Sequence, residues 1–189
     1  MLTQGDITGD RCLMDEVKLY LKEKYGKPGN VFLGLLHRLD RPVSGIVLFA
    51  KTSKGASRLS EQFRNRTIEK TYHALVLGKP KETEGQLVNF LKKNTGVSNA
   101  KRAELGYEVL MSNGKYSLLR IKLKTGRFHQ IRIQLALLGH PILGLPDKSI
   151  CLCATSLSFS PAVALAEEGK KTISIPIPTD WTKYLEVVK

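Results

Sequence analysis

Apolar residues recur along this chain with two periods, and the period changes often. Leu13, Val17 and Leu21 repeat at every fourth position between Asp10 and Tyr25, which predicts a helix closed by Gly26. Lys27-Pro28-Gly29-Asn30 then reads as a loop and Val31 to Leu36 as a short strand. Gly45-Ile46-Val47-Leu48-Phe49-Ala50 is a continuous β-branched and aromatic run, the pattern of a buried strand. Ser53 is placed to cap a helix reaching Asn65, with Ala56, Leu59 and Phe63 on one face. Ile68 to Leu77 predicts a further strand, ended by Gly78-Lys79-Pro80. Gly85 to Ala100 has no clear period, and its polar part, Lys92 to Asn99, reads as a loop or flexible hairpin. Ala103 to Met111 and Lys115 to Lys124 flank Ser112-Asn113-Gly114, and an Asn-Gly pair between alternating runs is a strong hairpin signal. Ile131, Leu135 and Leu138 mark one face of a helix that Gly139 ends. Cys151 to Phe159 and Lys171 to Ile177 read as late strands. Strands and helices mix without strict alternation. The expectation is a single α+β domain over residues 1–189, with a mixed, mostly antiparallel sheet flanked by helices.

Charge changes the picture next. The chain carries 30 Lys+Arg against 17 Asp+Glu, a formal net charge of +13, on an otherwise ordinary globular composition. Such an excess points to a polyanionic partner, with nucleic acid first and an anionic membrane surface second. No apolar run approaches the ~20 residues of a membrane span, and the first residues lack the basic start and apolar stretch of a signal peptide. The cysteines are Cys12, Cys151 and Cys153, an odd set of three without the spacing of a zinc site. They read as buried, inert thiols of a cytoplasmic protein, with Cys151 and Cys153 on alternate faces of one strand.

The densest polar cluster in an apolar setting is His37-Arg38-Leu39-Asp40-Arg41-Pro42-Val43-Ser44-Gly45. A carboxylate between two arginines is held ionised, available as nucleophile or base. Asp, Pro, Ser and Gly are also ordinary turn residues, and composition alone favours a turn. Along Leu119-Arg120-Ile121-Lys122-Leu123-Lys124, charge alternates with apolar residues, which places Arg120, Lys122 and Lys124 on one strand face. A solvated face of a half-buried strand explains that pattern. His129 and His140 read as satisfied structural histidines.

The order of residues from His37 to Lys51 resembles the central motif of the RluA family of RNA pseudouridine synthases. Glu69-Lys70-Thr71-Tyr72-His73-Ala74-Leu75-Val76-Leu77-Gly78 is similar to that family's second block. Thr125-Gly126-Arg127-Phe128-His129-Gln130-Ile131-Arg132, followed by Leu138-Gly139-His140-Pro141-Ile142, is similar to its third. Lys101-Arg102-Ala103 and the late Ile175-Pro176-Ile177-Pro178 fit in the same order. The resemblance implies an isomerase that detaches uracil from its ribose at N1 and rejoins it through C5, with no cofactor. It implies Asp40 as the essential carboxylate, Tyr72 as the active-site tyrosine and Arg132 as the arginine paired with Asp40, with Arg127 as close competitor. It implies that Arg38 fills the gap left by the flipped base. His37, Lys70, Arg127 and Lys101 are the further candidates for RNA contact. Ribosomal or transfer RNA is the implied partner, and a monomer is expected.

The chain departs from the family pattern in places. The usual opening Lys-Pro-x-Gly segment and an S4-like RNA-binding domain are not seen, and Val43 stands where threonine is usual. After Gly144 the chain passes directly through Leu145-Pro146-Asp147-Lys148 to the late strand, and Asn94 to Ala100 is short, so residues missing at these two points are expected. A competing reading is a catalytically idle RNA-binding protein of the same fold. A zinc deaminase, a phosphate-loop ATPase and a Gly-x-Ser-x-Gly hydrolase lack their motifs.

Overall fold

The computed structural model describes residues 1–5, 7, 9–92, 99–160 and 169–186. The first helix, α1, spans Leu13–Lys24, with Asp15 and Glu16 in its first turn and Lys22 and Lys24 in its last, the charge order that suits a helix dipole. It starts later than Asp10 because the preceding residues are used otherwise. Leu2 and Cys12 form a parallel bridge. The Leu13 and Met14 amides then donate to the carbonyls of Leu2 and Thr3 at 2.8 and 3.1 Å. Gly26 follows with φ +56°, as the helix end requires.

The run from Gly45 to Ala50 is not one strand. Its two ends pair in different sheets. Strand β1 is Gly34–Leu35, β2 is Ser44–Gly45 and β3 is Phe49–Ala50. Phe49–Ala50 pairs antiparallel with Gly34–Leu35 in a small two-stranded sheet. Ser44–Gly45 pairs parallel with Cys153–Ala154 in the large one. Gly45 makes the division possible: its φ is +122°, and a Cβ there would lie 2.4 Å from the Ala154 backbone nitrogen and oxygen. Helix α2, Ser53–Asn65, is capped one residue earlier than expected. The Thr52 hydroxyl accepts from the Gly55 N–H at 3.1 Å.

The remaining strands are β4 (Glu69–Leu77), β5 (Glu84–Leu91), β6 (Lys101–Ser112), β7 (Tyr116–Leu123), β8 (Leu152–Phe159) and β9 (Lys171–Ser174). Helix α3, Gln130–Leu137, lies between β7 and β8, and a short 3-10 helix, Thr179–Tyr184, follows β9. The large sheet runs β2-β8-β4-β7-β6-β5, with β9 also on β8. The β2–β8 pairing is parallel and the others are antiparallel. This is the expected α+β architecture. The β6–β7 hairpin turns at Asn113, whose Oδ1 accepts from the amides of Lys115 and Tyr116, and at Gly114, φ +85°. The ordered edge strand β5 lies where no period was legible, and residues 93–98 of the expected polar loop are outside the described residues.

The sheet buries both faces. On one, Tyr72, Ala74, Leu105, Leu119 and Ile121 pack against Ile131 and Leu135 of α3. On the other, Leu75, Leu118, Cys151 and Cys153 pack against Trp181 of the 3-10 helix. The two late cysteines therefore share a face, as a two-residue spacing in extended chain dictates, and do not alternate. All three cysteines are free and buried, and burial pushes the Cys151 thiol up to about 11. At the Gly144–Leu145 departure the chain closes a tight hairpin. Gly144 bridges Ile150, and the Leu145 amide donates to the Ser149 carbonyl at 2.9 Å. No described helix is long and apolar enough to cross a membrane.

Candidate active site

A cavity of about 730 Å³ opens between two walls. One wall is the segment Leu36–Val43 with the C-terminal end of α2, and the other is the start of β4 with the segment Leu123–Arg132. Among its lining residues Asp40 is the single carboxylate, facing seven basic side chains: Arg38, Arg64, Arg66, Lys70, Lys124, Arg127 and Arg132. Such a cavity selects an anionic ligand and keeps one carboxylate in a strongly positive field.

Asp40 occupies a reverse turn in which its carbonyl accepts from the Val43 N–H at 2.9 Å. The turn and the site are the same residues. Preceding Leu39 is clamped by buried Thr3, whose hydroxyl accepts from the Leu39 N–H at 3.2 Å and donates to its carbonyl at 3.3 Å. The Val43 side chain packs against the core below. The Asp40 carboxylate is one-third exposed, and Oδ2 lies 3.6 Å from Nε2 of His129. No other basic side chain comes within ion-pair distance of that carboxylate among the described residues. Arg132 lines the same cavity without entering ion-pair distance of that carboxylate. His129, which the sequence suggested was structural, therefore stands where the arginine was expected.

Tyr72 lines the same cavity, with 7% of its surface exposed. Burial first, and the Asp40 charge second, push its phenol up to about 12, so it is neutral at physiological pH. Lys70, two residues earlier, also lines the cavity. Burial, and then the Arg66 charge, hold its ammonium below the usual lysine range, and it stands 5.9 Å from the Phe63 ring centroid.

His37 also lines the cavity and is held by the chain around it. Its Nε2 accepts from the Leu48 N–H at 3.0 Å, and its ring lies 5.2 Å from that of Phe63. Burial, aided by the Lys70 charge, pushes its pKa down to about 4. A neutral ring committed to a backbone amide ties the Asp40 wall to the strand that follows. Arg38 is exposed at the cavity rim. Lys101 is exposed at the start of β6 and is not among the lining residues.

The opposite wall is held by buried amides. Gln130 Oε1 accepts from the Thr125 hydroxyl at 2.7 Å and the Arg127 N–H at 3.0 Å. Its Nε2 donates to the Glu104 carbonyl and to Gln134 Oε1. Gln134 Nε2 in turn donates to the Leu87 carbonyl and to Asn89 Oδ1. This network joins the start of α3 to β5 and β6 and presents Arg127, Phe128 and His129. The Arg127 Nε donates to the Arg102 carbonyl at 3.0 Å. His129 is left-handed, φ +48°, and its ring stacks on Phe128 at 3.7 Å, with Phe128 half-exposed. The basic strand β7 fits the solvated-face reading: Arg120 pairs with Glu108 and Lys124 with Glu104. Lys124 also reaches the cavity rim.

Phe63 and Phe128 join the site beyond the candidates read from the sequence, and Arg64 and Arg66, which there count only as part of the general positive charge, line it as well. The exposed aromatic between Arg127 and His129 was a usable signal. Nothing local marks the end of α2 as a cavity wall.

The fold and this cavity define an α+β domain built around one carboxylate and a ring of cations. Residues 3–137 match the family described as RNA pseudouridylate synthase, PseudoU_synth_2. The chain belongs to that family. An uncharacterized RNA pseudouridine synthase of Chloroflexus aurantiacus is 38% identical over 124 residues, 62% of this chain and 39% of that protein. Pseudouridylate synthase RPUSD2 of Homo sapiens is 42% identical over 118 residues, 59% of this chain and 22% of that protein. The structure of human RNA pseudouridylate synthase domain containing 4 superposes with a TM-score of 0.78 at 20% identity, over 96% of this chain and 84% of that one. The matched stretch thus spans well under half of those relatives found by sequence.

Proposed function

We propose that this chain isomerises uridine in structured RNA, ribosomal or transfer, to pseudouridine at Asp40. The observation that carries the reading is the placement of that carboxylate: the single one among seven lining cations, in the same cavity as a buried neutral tyrosine. The cations take the phosphates on either side of a uridine turned out of its stack. The uracil then enters the cavity over Tyr72, whose ring offers a stacking face and whose hydroxyl offers a donor. Asp40 attacks either C1′ of the ribose or C6 of the base. The N1–C1′ bond breaks, the ring turns, C5 bonds to C1′, the bond to the Asp40 carboxylate is released, and the C5 proton is lost as N1 gains one. Reactant and product are isomers, so the balance needs no cofactor.

His129 and Arg132 are the groups at hand to counter charge on Asp40 and on the uracil as the glycosidic bond breaks. Arg38, at the rim two residues before Asp40, suits the gap left by the flipped base. The test is conversion of total RNA lacking pseudouridine by the wild-type chain and by Asp40→Asn. Product from the first alone supports the reading. RNA binding without product from either overturns it in favour of an idle RNA-binding domain.

A further inference from the structure

Outside the cavity, the C-terminal end of α1 carries a cluster that the catalytic reading does not use. Tyr25 is half-exposed, and three ammonium groups surround its ring: Lys51 at 5.2 Å from the centroid, and Lys24 and Lys27 at 6.0 Å. Lys51 also donates to the Tyr25 hydroxyl at 3.3 Å. Lys24 donates to the hydroxyl of Tyr20 at 2.8 Å and stands 5.2 Å from its ring, which is likewise exposed. Among the described residues no carboxylate pairs with Lys24, Lys27 or Lys51. Three like charges held around one ring, with no carboxylate in ion-pair contact among the described residues, form a site for a polyanion.

We propose that this tyrosine–lysine cluster is a second RNA contact, which binds single-stranded RNA outside the catalytic cavity. The inference rests on the reading of the chain as an RNA-modifying enzyme. The cation–π contacts hold the ammoniums ready for phosphates, and phosphates that draw them aside free the tyrosine face for a base. Lys51 precedes α2, and Arg64 near the far end of that helix lines the cavity. The helix between them, Ser53 to Phe63, rises about 17 Å. The cluster thus adds a contact for RNA flanking the target and leaves the chemistry to the cavity.

The test uses Asp40→Asn protein, which binds without turnover, and a single-stranded oligouridylate of about sixteen nucleotides. Adding Lys24→Gln, Lys27→Gln and Lys51→Gln together lowers the slope of log affinity against log salt by about 2. Adding Tyr25→Ala weakens binding about tenfold, whereas Tyr25→Phe changes it less than about twofold. An unchanged salt slope, or Tyr25→Ala binding as its parent does, overturns the proposal. So does a loss seen on phosphatidylserine vesicles and not on RNA, which assigns the cluster to a membrane. If the wild-type chain makes pseudouridine and the cluster variants bind normally, only this inference falls. If the wild-type chain neither binds RNA nor makes product, the catalytic reading falls first.

Discussion

The two walls of the cavity are built in opposite ways. The wall from β7 to α3 is part of the large sheet and is locked by buried amides, Gln130 and Gln134, with their partners on Thr125, Arg127, Glu104, Leu87 and Asn89. The wall that carries Asp40 has two-residue strands and a turn, and is tied at separate points to different parts of the molecule: Thr3 on Leu39, Leu48 on His37, the Ile150 amide on the Pro42 carbonyl, and Gly45 pressed on Ala154. Lys124, Arg127 and Arg132 are therefore presented by the amide-locked frame, while Arg38 shares the carboxylate's own segment. Reaction at one atom requires that both be positioned together. A substitution in the frame should show first as lost stability, and one in the turn as lost chemistry.

The sharpest test of that contrast is Asp40→Asn. Conversion of uridine should fall by at least about 1000-fold. The side chain is partly exposed and nearly isosteric, so the melting temperature should stay put. A large drop in melting temperature would show that the turn carries structural weight as well.

Gly45→Ala comes next and breaks the rule in the other direction, because here the Asp40 wall touches the frame. The positive φ and the 2.4 Å approach to Ala154 backbone should cost about 3 kcal/mol or more, read from denaturant unfolding. Gln134→Ala should cost about 1–3 kcal/mol by removing one of the two acceptors of the Gln130 amide and the donor shared by the Leu87 carbonyl and Asn89 Oδ1. A loss below about 0.5 kcal/mol would mean that the network adds little rigidity.

The smallest effect concerns pH. His37 titrates near 4 in the fold against an ordinary 6.5, so the unfolded chain binds more protons between these values. Its neutral form supports the fold fully above about pH 6.5, and that support is lost as pH falls toward 4. Between pH 7 and 5 the loss from this group is about 2 kcal/mol. His37→Gln keeps an acceptor for the Leu48 amide and should flatten that part of the stability profile. An unchanged profile would show that His37 is solvated in the folded chain.

Much of the architecture was legible from period and punctuation. The β6–β7 hairpin, α2, α3 and β4 follow from runs whose local preference and tertiary burial agree. The errors lie where a local signal was overridden. Gly45–Ala50 has every mark of one strand, yet the large sheet takes one end of it and the small sheet the other. Asp10–Cys12 reads as helix, yet Cys12 is used to bridge Leu2. Strand β5 alternates in burial, yet its inward positions include Gly85 and Asn89 and its outward ones Val88 and Phe90, so residue type does not follow the alternation.

The site divides in the same way. The order of motifs determined, from the sequence alone, that Asp40, Tyr72, Arg127 and Arg132 belong to one family's pattern, because the residue types a reaction needs recur in a recognisable order. Which cation stands nearest Asp40, that Phe63 and Arg64 close the cavity, that Lys101 lies apart from it, and that His37 is neutral and committed to Leu48 were decided only by the tertiary structure. Those facts depend on separations of a few ångströms between segments far apart in the chain. Local sequence pattern specifies the path of each segment but not the distances between segments, which packing alone sets.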